Sequence, residues 1–174
     1  NTLNQIMAET DEVLPAKIMD MLNEGISQTL HQGSTDVKDG MDAAMCAIDF
    51  KKKEVHFAGA YNPLYLIRNG TLQQIKGDKF PIGAFIDDEE HLFTDHTLKI
   101  EKGDTLYIFS DGYADQFGGK RGKKFMYRNF RDLLIKIQDK EMEEQKRILD
   151  ETVEDWRGDL EQVDDILIIG LRIE

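Results

Sequence analysis

Leu106-Tyr107-Ile108-Phe109-Ser110-Asp111-Gly112-Tyr113-Ala114-Asp115-Gln116 is the stretch around which the rest of the chain is read. Leu106 to Phe109 is an uninterrupted apolar run that stops at Ser110-Asp111-Gly112. Such a run predicts a buried β-strand that delivers one carboxylate at its C-terminal tip, with a glycine to turn the chain away. A strand held on both faces is a rigid mount for a functional group. The pattern recurs in reverse near the end, where Val163-Asp164-Asp165 precedes the apolar run Ile166 to Leu171. If the two strands are antiparallel neighbours, the tip of one meets the start of the other, and Asp111 meets Asp164. Adjacent acids on a strand point to opposite faces, so only one of Asp164 and Asp165 is expected to face Asp111. Clustered carboxylates without a matching cluster of bases suggest a hard divalent cation.

Length and composition narrow the choices. The 174 residues suit one domain with a substantial core. With 40% hydrophobic and 32% charged residues, the chain reads as soluble and globular. Its formal charge of −12, from 22 bases against 34 acids, argues against a nucleic-acid partner, because such affinity comes mainly from neutralising phosphates. Cys46 is the single cysteine, which excludes an internal disulfide framework and a cysteine zinc cluster and fits a reducing, cytoplasmic compartment. No apolar run approaches the roughly 20 residues of a membrane helix, so no membrane contact is expected of this segment.

The remaining elements follow from periodicity and turn chemistry. Residues 1–9 read as the end of a helix, and Leu14, Ile18, Met21, Leu22, Ile26 and Leu30 recur at helical spacing over 15–32, after Pro15 and before Gly33. Strands are expected at 41–50 and 54–60 around Lys51-Lys52-Lys53, at 64–68 and 71–75 around the hairpin signal Asn69-Gly70, and at 91–100. Helices are expected about Met126 to Ile137 and Met142 to Trp156, before a closing strand. Between them, Phe117 to Lys124 is glycine-rich and basic; it lacks the ending of a P-loop and reads as a flexible loop or as a lid or anion contact beside the acids. The four histidines have no ligand spacing, and Ser110 lacks the glycine-flanked elbow of a nucleophile. Runs of hairpin strands with helices gathered at two places predict layered α+β architecture.

These residues resemble a known family. Ser110 to Gly119 resembles the SDG motif of bacterial metal-dependent serine/threonine phosphatases, the SpoIIE-type branch of the type 2C (PPM) family. Asp39-Gly40-Met41-Asp42 looks like its DGMD strand entry, Phe57 to Pro63 like its glycine-asparagine-proline turn, Lys79 to Gly83 like its KxPIG loop, and Asp164-Asp165-Ile166 like its closing DD motif. The matches are in family order and cover nearly the whole chain.

The resemblance implies an antiparallel β-sandwich flanked by helices, with two Mn²⁺ or Mg²⁺ ions at one edge. It implies a metal-bridging hydroxide that attacks a phosphoserine or phosphothreonine. Carried over residue by residue, Asp111 and Asp164 match catalytic metal ligands, with Asp165 as a further candidate, and Gly112, Asp39 and Asn62 fall at the substrate or site edge. The implied substrate is a phosphorylated regulatory protein such as an anti-sigma-factor antagonist, in a protein with an upstream sensor domain and, in full length, scope for a membrane anchor. The family's N-terminal DxxGHG motif has no counterpart here. Residues 1–174 are therefore expected to be one domain, the C-terminal fragment of a larger signalling protein, lacking N-terminal strands, with one cation or none, weak or absent activity, and a tendency to self-associate through exposed sheet edges. The alternatives are a non-catalytic phosphatase-like regulatory module and a simple cation-binding domain.

Overall fold

The computed structural model describes the backbone of residues 14–31, 40–83 and 91–174. The helix expected at residues 1–9 lies outside them. The chain divides into two compact units, one running to Leu64 and taking in Ile75–Glu101, the other formed by Tyr65–Gln74 and Lys102–Glu174.

In the first unit Pro15 opens helix α1, Pro15–His31. Proline suits this position because the first helical N–H has no partner to lose. Ala16, Ile18 and Met19 are buried, and Leu22 and Ile26 pack partly against the same core. Strands β1 (Ala43–Asp49), β2 (Glu54–Ala60) and β5 (His96–Lys99) form a sheet in the order β1-β2-β5. Both pairings are antiparallel, with Ala43 opposite Ala60 and Glu54 opposite Lys99. In the β1–β2 turn, Asp49 Oδ1 accepts the N–H groups of Lys51 and Lys52, each at 2.9 Å. The central strand buries Val55 and Phe57 on one face and Ala58 and Ala60 on the other.

The expected strand at 91–100 is shorter than its apolar content suggests. The N–H of Phe93 goes to Asp20 of α1 and that of Thr94 to Asp78, both at 2.7 Å. Backbone donors bound to carboxylates on other segments cannot join a strand ladder.

In the second unit β3 (Leu64–Arg68) and β4 (Thr71–Ile75) flank Asn69-Gly70, whose φ values of 49° and 79° suit a tight hairpin turn. With β6 (Thr105–Phe109) and β9 (Ile168–Arg172) they form a sheet in the order β4-β3-β6-β9. Strands β6 and β9 are antiparallel, with Thr105 opposite Arg172 and Phe109 opposite Ile168. A single turn of helix, α2 (Gly112–Asp115), follows β6 and leads into a two-stranded hairpin, β7 (Phe117–Gly118) and β8 (Lys123–Lys124). Helices α3 (Tyr127–Ile137) and α4 (Met142–Arg157) complete the unit. Neither α2 nor the hairpin is visible in the periodicity of the sequence.

Aromatic rings dominate the core of this unit. Phe130 is fully buried, with its ring 5.0 Å from Phe109 and 4.8 Å from Tyr113. Arg68 grips the buried carboxylate of Asp104 through two bonds of 2.8 and 2.6 Å. The Tyr107 hydroxyl donates to Gln145, whose amide donates to the Lys140 carbonyl at 2.9 Å. Edge strand β9 leaves Ile169 and Leu171 exposed, with Leu167 exposed just before it. No helix of the described residues is long and apolar enough to cross a membrane.

Phe130→Ala is expected to cost about 3–5 kcal/mol of unfolding free energy in urea titration, because it empties the centre of the aromatic cluster. Burial pushes the Tyr107 phenol up to about 12, against an ordinary value of 10.0. The folded state therefore holds this proton more tightly than the unfolded chain, and stability present below pH ~10 is lost as pH rises toward 12. The urea midpoint should fall across that window, and Tyr107→Phe should shallow the fall.

Candidate functional site

Strand β6 carries Ser110, Asp111 and Gly112 past its end as the sequence predicts. Beyond the regular ladder, the Ser110 N–H donates to the Leu167 carbonyl at 3.0 Å. The Ser110 side chain then takes over. Its Oγ donates to the Asp165 carbonyl at 2.7 Å and accepts the Leu167 N–H at 2.9 Å. This one hydroxyl clamps the segment before β9 across the tip of β6. Gly112 allows the approach: a Cβ there would lie 3.0 Å from the Asp165 carbonyl carbon and closer still to its oxygen.

The two strand ends that carry the acids are thus brought together, and Asp165 meets the SDG turn through its main chain. Asp164 and Asp165 lie ahead of strand β9, which starts at Ile168, so strand alternation does not decide where they point. Both are exposed, and Asp164 Oδ1 accepts the N–H of Asp165 at 2.7 Å.

Asp111 differs from them. It is half-buried and sits where a helix-capping residue would, yet its side chain makes no capping bond to α2. Among the described residues its carboxylate has neither a hydrogen bond nor an ion pair. A turn aspartate ordinarily uses its oxygens on nearby N–H groups, as Asp49 does in the β1–β2 turn. The donor set of acidic oxygens is of the kind a hard divalent cation takes while keeping several waters. No three His, Cys, Asp or Glu side chains gather as a metal-binding group among the described residues.

Behind Asp111 the glycine-rich basic stretch is a structured hairpin. The fully buried Gln116 donates its amide to the carbonyls of Phe117 at 3.0 Å and Glu161 at 2.9 Å, and its own carbonyl accepts the Trp156 indole N–H at 3.1 Å. Gly118 and Gly119 lie against Trp156, where a Cβ on either would collide with the ring. The long separation between Gln116 and Trp156 is why sequence reasoning missed this support; the paired glycines were its only local sign.

Three further motif segments converge in the first unit. Met41 and Ile82 exchange backbone bonds of 2.8 and 2.9 Å, which joins the DGMD entry to the KxPIG loop. Asn62 is half-buried in a tight turn closed by its own N–H to Ala60 O at 2.6 Å, with Tyr61 at φ 57°. Gly77 packs so closely there that a Cβ would lie 2.6 Å from the Gly59 carbonyl oxygen and 2.8 Å from that of Asn62. Asp39 lies outside the described residues. Of the histidines, His56 pairs with Asp95 at 3.0 Å, a structural contact.

With this geometry in hand, known proteins are informative. A family model described as Stage II sporulation protein E (SpoIIE) matches residues 1–174. No curated protein matches the chain. The SiaA-PP2C domain of Pseudomonas aeruginosa is 27% identical with a TM-score of 0.86, over 99% of this chain and 66% of that one. The PP2C phosphatase domain of the cell-fate determinant SpoIIE from Bacillus subtilis, solved with a fragment of its regulatory domain, is 20% identical with a TM-score of 0.71, over 99% of this chain and 46% of that one. A manganese-presoaked structure of the SpoIIE phosphatase domain from Bacillus subtilis is 19% identical with a TM-score of 0.56, over 99% of this chain and 71% of that one. The identities of 20% and 19% carry the fold alone. The chain thus spans less than two thirds of the SiaA and longer SpoIIE structures. Helices and antiparallel sheets in the expected order, the shared PP2C fold and a family match over the full 174 residues lead to one conclusion: the chain belongs to the SpoIIE family, the SpoIIE-type branch of the PPM phosphatases.

Proposed function

We propose that this chain is the C-terminal part of a metal-dependent phosphatase domain that removes phosphate from phosphoserine or phosphothreonine on a regulatory protein in bacterial signalling. The observation that carries the reading is the unpartnered, half-buried carboxylate of Asp111 on a rigid strand tip. Its charge is left for something outside the described residues. Asp111 and Asp164 would hold a divalent cation, Mn²⁺ or Mg²⁺, with Asp165 as a further oxygen donor. Such a cation, two of them in a complete domain, supplies Lewis-acid activation of water and of the phosphoryl group. The chain's own residues orient that chemistry. Ser110 fixes the acidic segment across the strand tip, and Gly112 leaves room for it.

A phosphorylated regulator such as an anti-sigma-factor antagonist as substrate, an upstream sensor domain and a cytoplasmic site of action belong to the same proposal. The exposed row of Leu167, Ile169 and Leu171 at edge strand β9 supports self-association when nothing else covers it. The competing reading is a non-catalytic regulatory module. It is favoured by the exposure of Asp164 and Asp165 and by the incomplete ligand set among the described residues.

In the full-length protein, Asp111→Asn is expected to lower manganese-dependent hydrolysis of p-nitrophenyl phosphate by about 10²-fold or more, since it removes charge stabilisation at the reacting centre. Activity retained in that variant removes Asp111 from the site; no activity in the unaltered protein favours the regulatory module. Ser110→Ala is expected to cost about 1–2 kcal/mol in urea unfolding, from the two hydrogen bonds it breaks. It should also speed amide exchange at Leu167, whose N–H loses its acceptor. Unchanged exchange there would mean that the hydroxyl does not hold the acidic segment.

A further inference from the structure

The β7–β8 hairpin is a basic island on an acidic protein. Across the chain 34 acids outnumber 22 bases. Other cations are neutralised by acids a few residues away, as Arg147 is by Glu151 at 2.7 Å and Lys140 by Glu144 at 2.8 Å. At the hairpin only Lys124 is paired, with Asp115 at 2.8 Å. Lys120, Arg121 and Lys123 are exposed and make no ion pair among the described residues.

The hairpin is also stiff. The Gly119 N–H donates to the Trp156 carbonyl at 2.7 Å, the Gly122 N–H to the Gly119 carbonyl at 3.1 Å, and the Phe125 N–H to the Gln116 carbonyl at 2.9 Å. Its tip is open, since a Cβ on Gly122 would meet nothing within 4 Å. A fixed backbone frame loses little freedom when an anion binds, so the cost of ordering is confined to the side chains. The frame stands beside the candidate site. Asp115, which Lys124 grips, lies one helical turn beyond Asp111, about 5.4 Å along the axis, and its N–H donates to the Asp111 carbonyl at 3.0 Å. Exposed Phe117 and Met126 flank the charges and add apolar surface for a peptide backbone.

We propose that this hairpin docks an acidic segment of the protein substrate, engaging carboxylates next to the phosphorylated residue while the phosphoryl group lies at the β6 tip. The inference rests on the phosphatase reading above and adds a specificity element to it. Much of the surface of a protein of net charge −12 repels an acidic segment, and this island beside the β6 tip attracts it. The island therefore selects the orientation of approach as well as adding affinity.

The test uses the full-length protein and the triple variant Lys120→Glu, Arg121→Glu, Lys123→Glu. The probes are p-nitrophenyl phosphate and phosphoserine peptides with acidic or with neutral flanks. The variant is expected to keep p-nitrophenyl phosphate turnover and neutral-flank peptide turnover within about twofold. It should lose about tenfold or more in kcat/KM for the acidic-flank peptide, mainly through KM, with a weaker dependence on salt. Equal effects on both peptides, or none on either, overturn the proposal. Fluorescence anisotropy of the labelled acidic-flank peptide reads docking without turnover. If the unaltered protein hydrolyses nothing, the phosphatase reading fails, while selective binding lost in the variant still supports the hairpin as an acidic-peptide site. Binding to phosphatidylglycerol vesicles in preference to the acidic peptide, lost in the same variant, overturns it in favour of a membrane surface.

Discussion

The pairing of β6 with β9 is the constraint on which the second unit depends. Five residue pairs, from Thr105 with Arg172 to Phe109 with Ile168, set the register. Because side chains alternate along a strand, a slip of one residue would exchange the face carrying Tyr107 and Phe109 with the face carrying buried Leu106 and half-buried Ile108. Burial of Tyr107 and Phe109 against α3 and α4 residues forbids that slip. The same register decides which residues of the other strand face the β6 tip. Where the backbone ladder ends, the Ser110 hydroxyl continues it by bonding on both sides of Ile166, to the Asp165 carbonyl and the Leu167 amide. Core packing and site geometry are thus one problem: the aromatic cluster fixes the register, and the register brings the acidic segment to Ser110 and Gly112 at the strand tip.

Much of this was legible in the residues themselves. An apolar run ending in Ser-Asp-Gly, an Asn-Gly turn and helical stripes behind Pro15 are local signals, and each names an element found where it was expected. Signals failed where long-range bonds override local preference. Leu92 and Phe93 look strand-like, but Asp20 and Asp78 hold the backbone just there. The basic glycine stretch looks like a loose loop, but Gln116 and Trp156 hold it from behind. Asp164 and Asp165 looked like the first residues of a strand, whereas the Ser110 clamp precedes the regular ladder and leaves them in an irregular turn. In each case the deciding partner lies tens of residues away, beyond the reach of any periodicity.

The family-like motifs do different kinds of work, and their geometry separates them. In the first unit the glycines are matters of space. Gly59 and Gly77 let two backbone segments approach closer than any side chain would allow, and Met41 and Ile82 tie two loops by main-chain bonds. Asp78 is wholly occupied, its two oxygens accepting the N–H and the hydroxyl of Thr94 at 2.7 and 2.9 Å. These positions in and beside the motifs are explained by architecture. Gly112 in the second unit belongs with them, because it makes room for the Asp165 main chain.

Among the described motif residues, half-buried Asp111 is one that architecture does not explain. A carboxylate that is half-buried and unpartnered loses part of its hydration without a compensating bond, which destabilises the fold. Mutation and selection remove such a group unless function retains it, because structural roles are met at less cost by residues that bond their neighbours, as Asp49 and Asp104 do here. The surroundings make no attempt to neutralise it. The nearby cation Lys124 is directed to Asp115 instead, while Lys120, Arg121 and Lys123 face outward. Positive charge is therefore present near the strand tip but kept off the Asp111 carboxylate. That separation suits a site in which the carboxylate meets a cation from outside the chain and the lysines and arginine meet an anion. Under the proposed function, a phosphorylated acidic segment approaching a divalent cation would bring the two together.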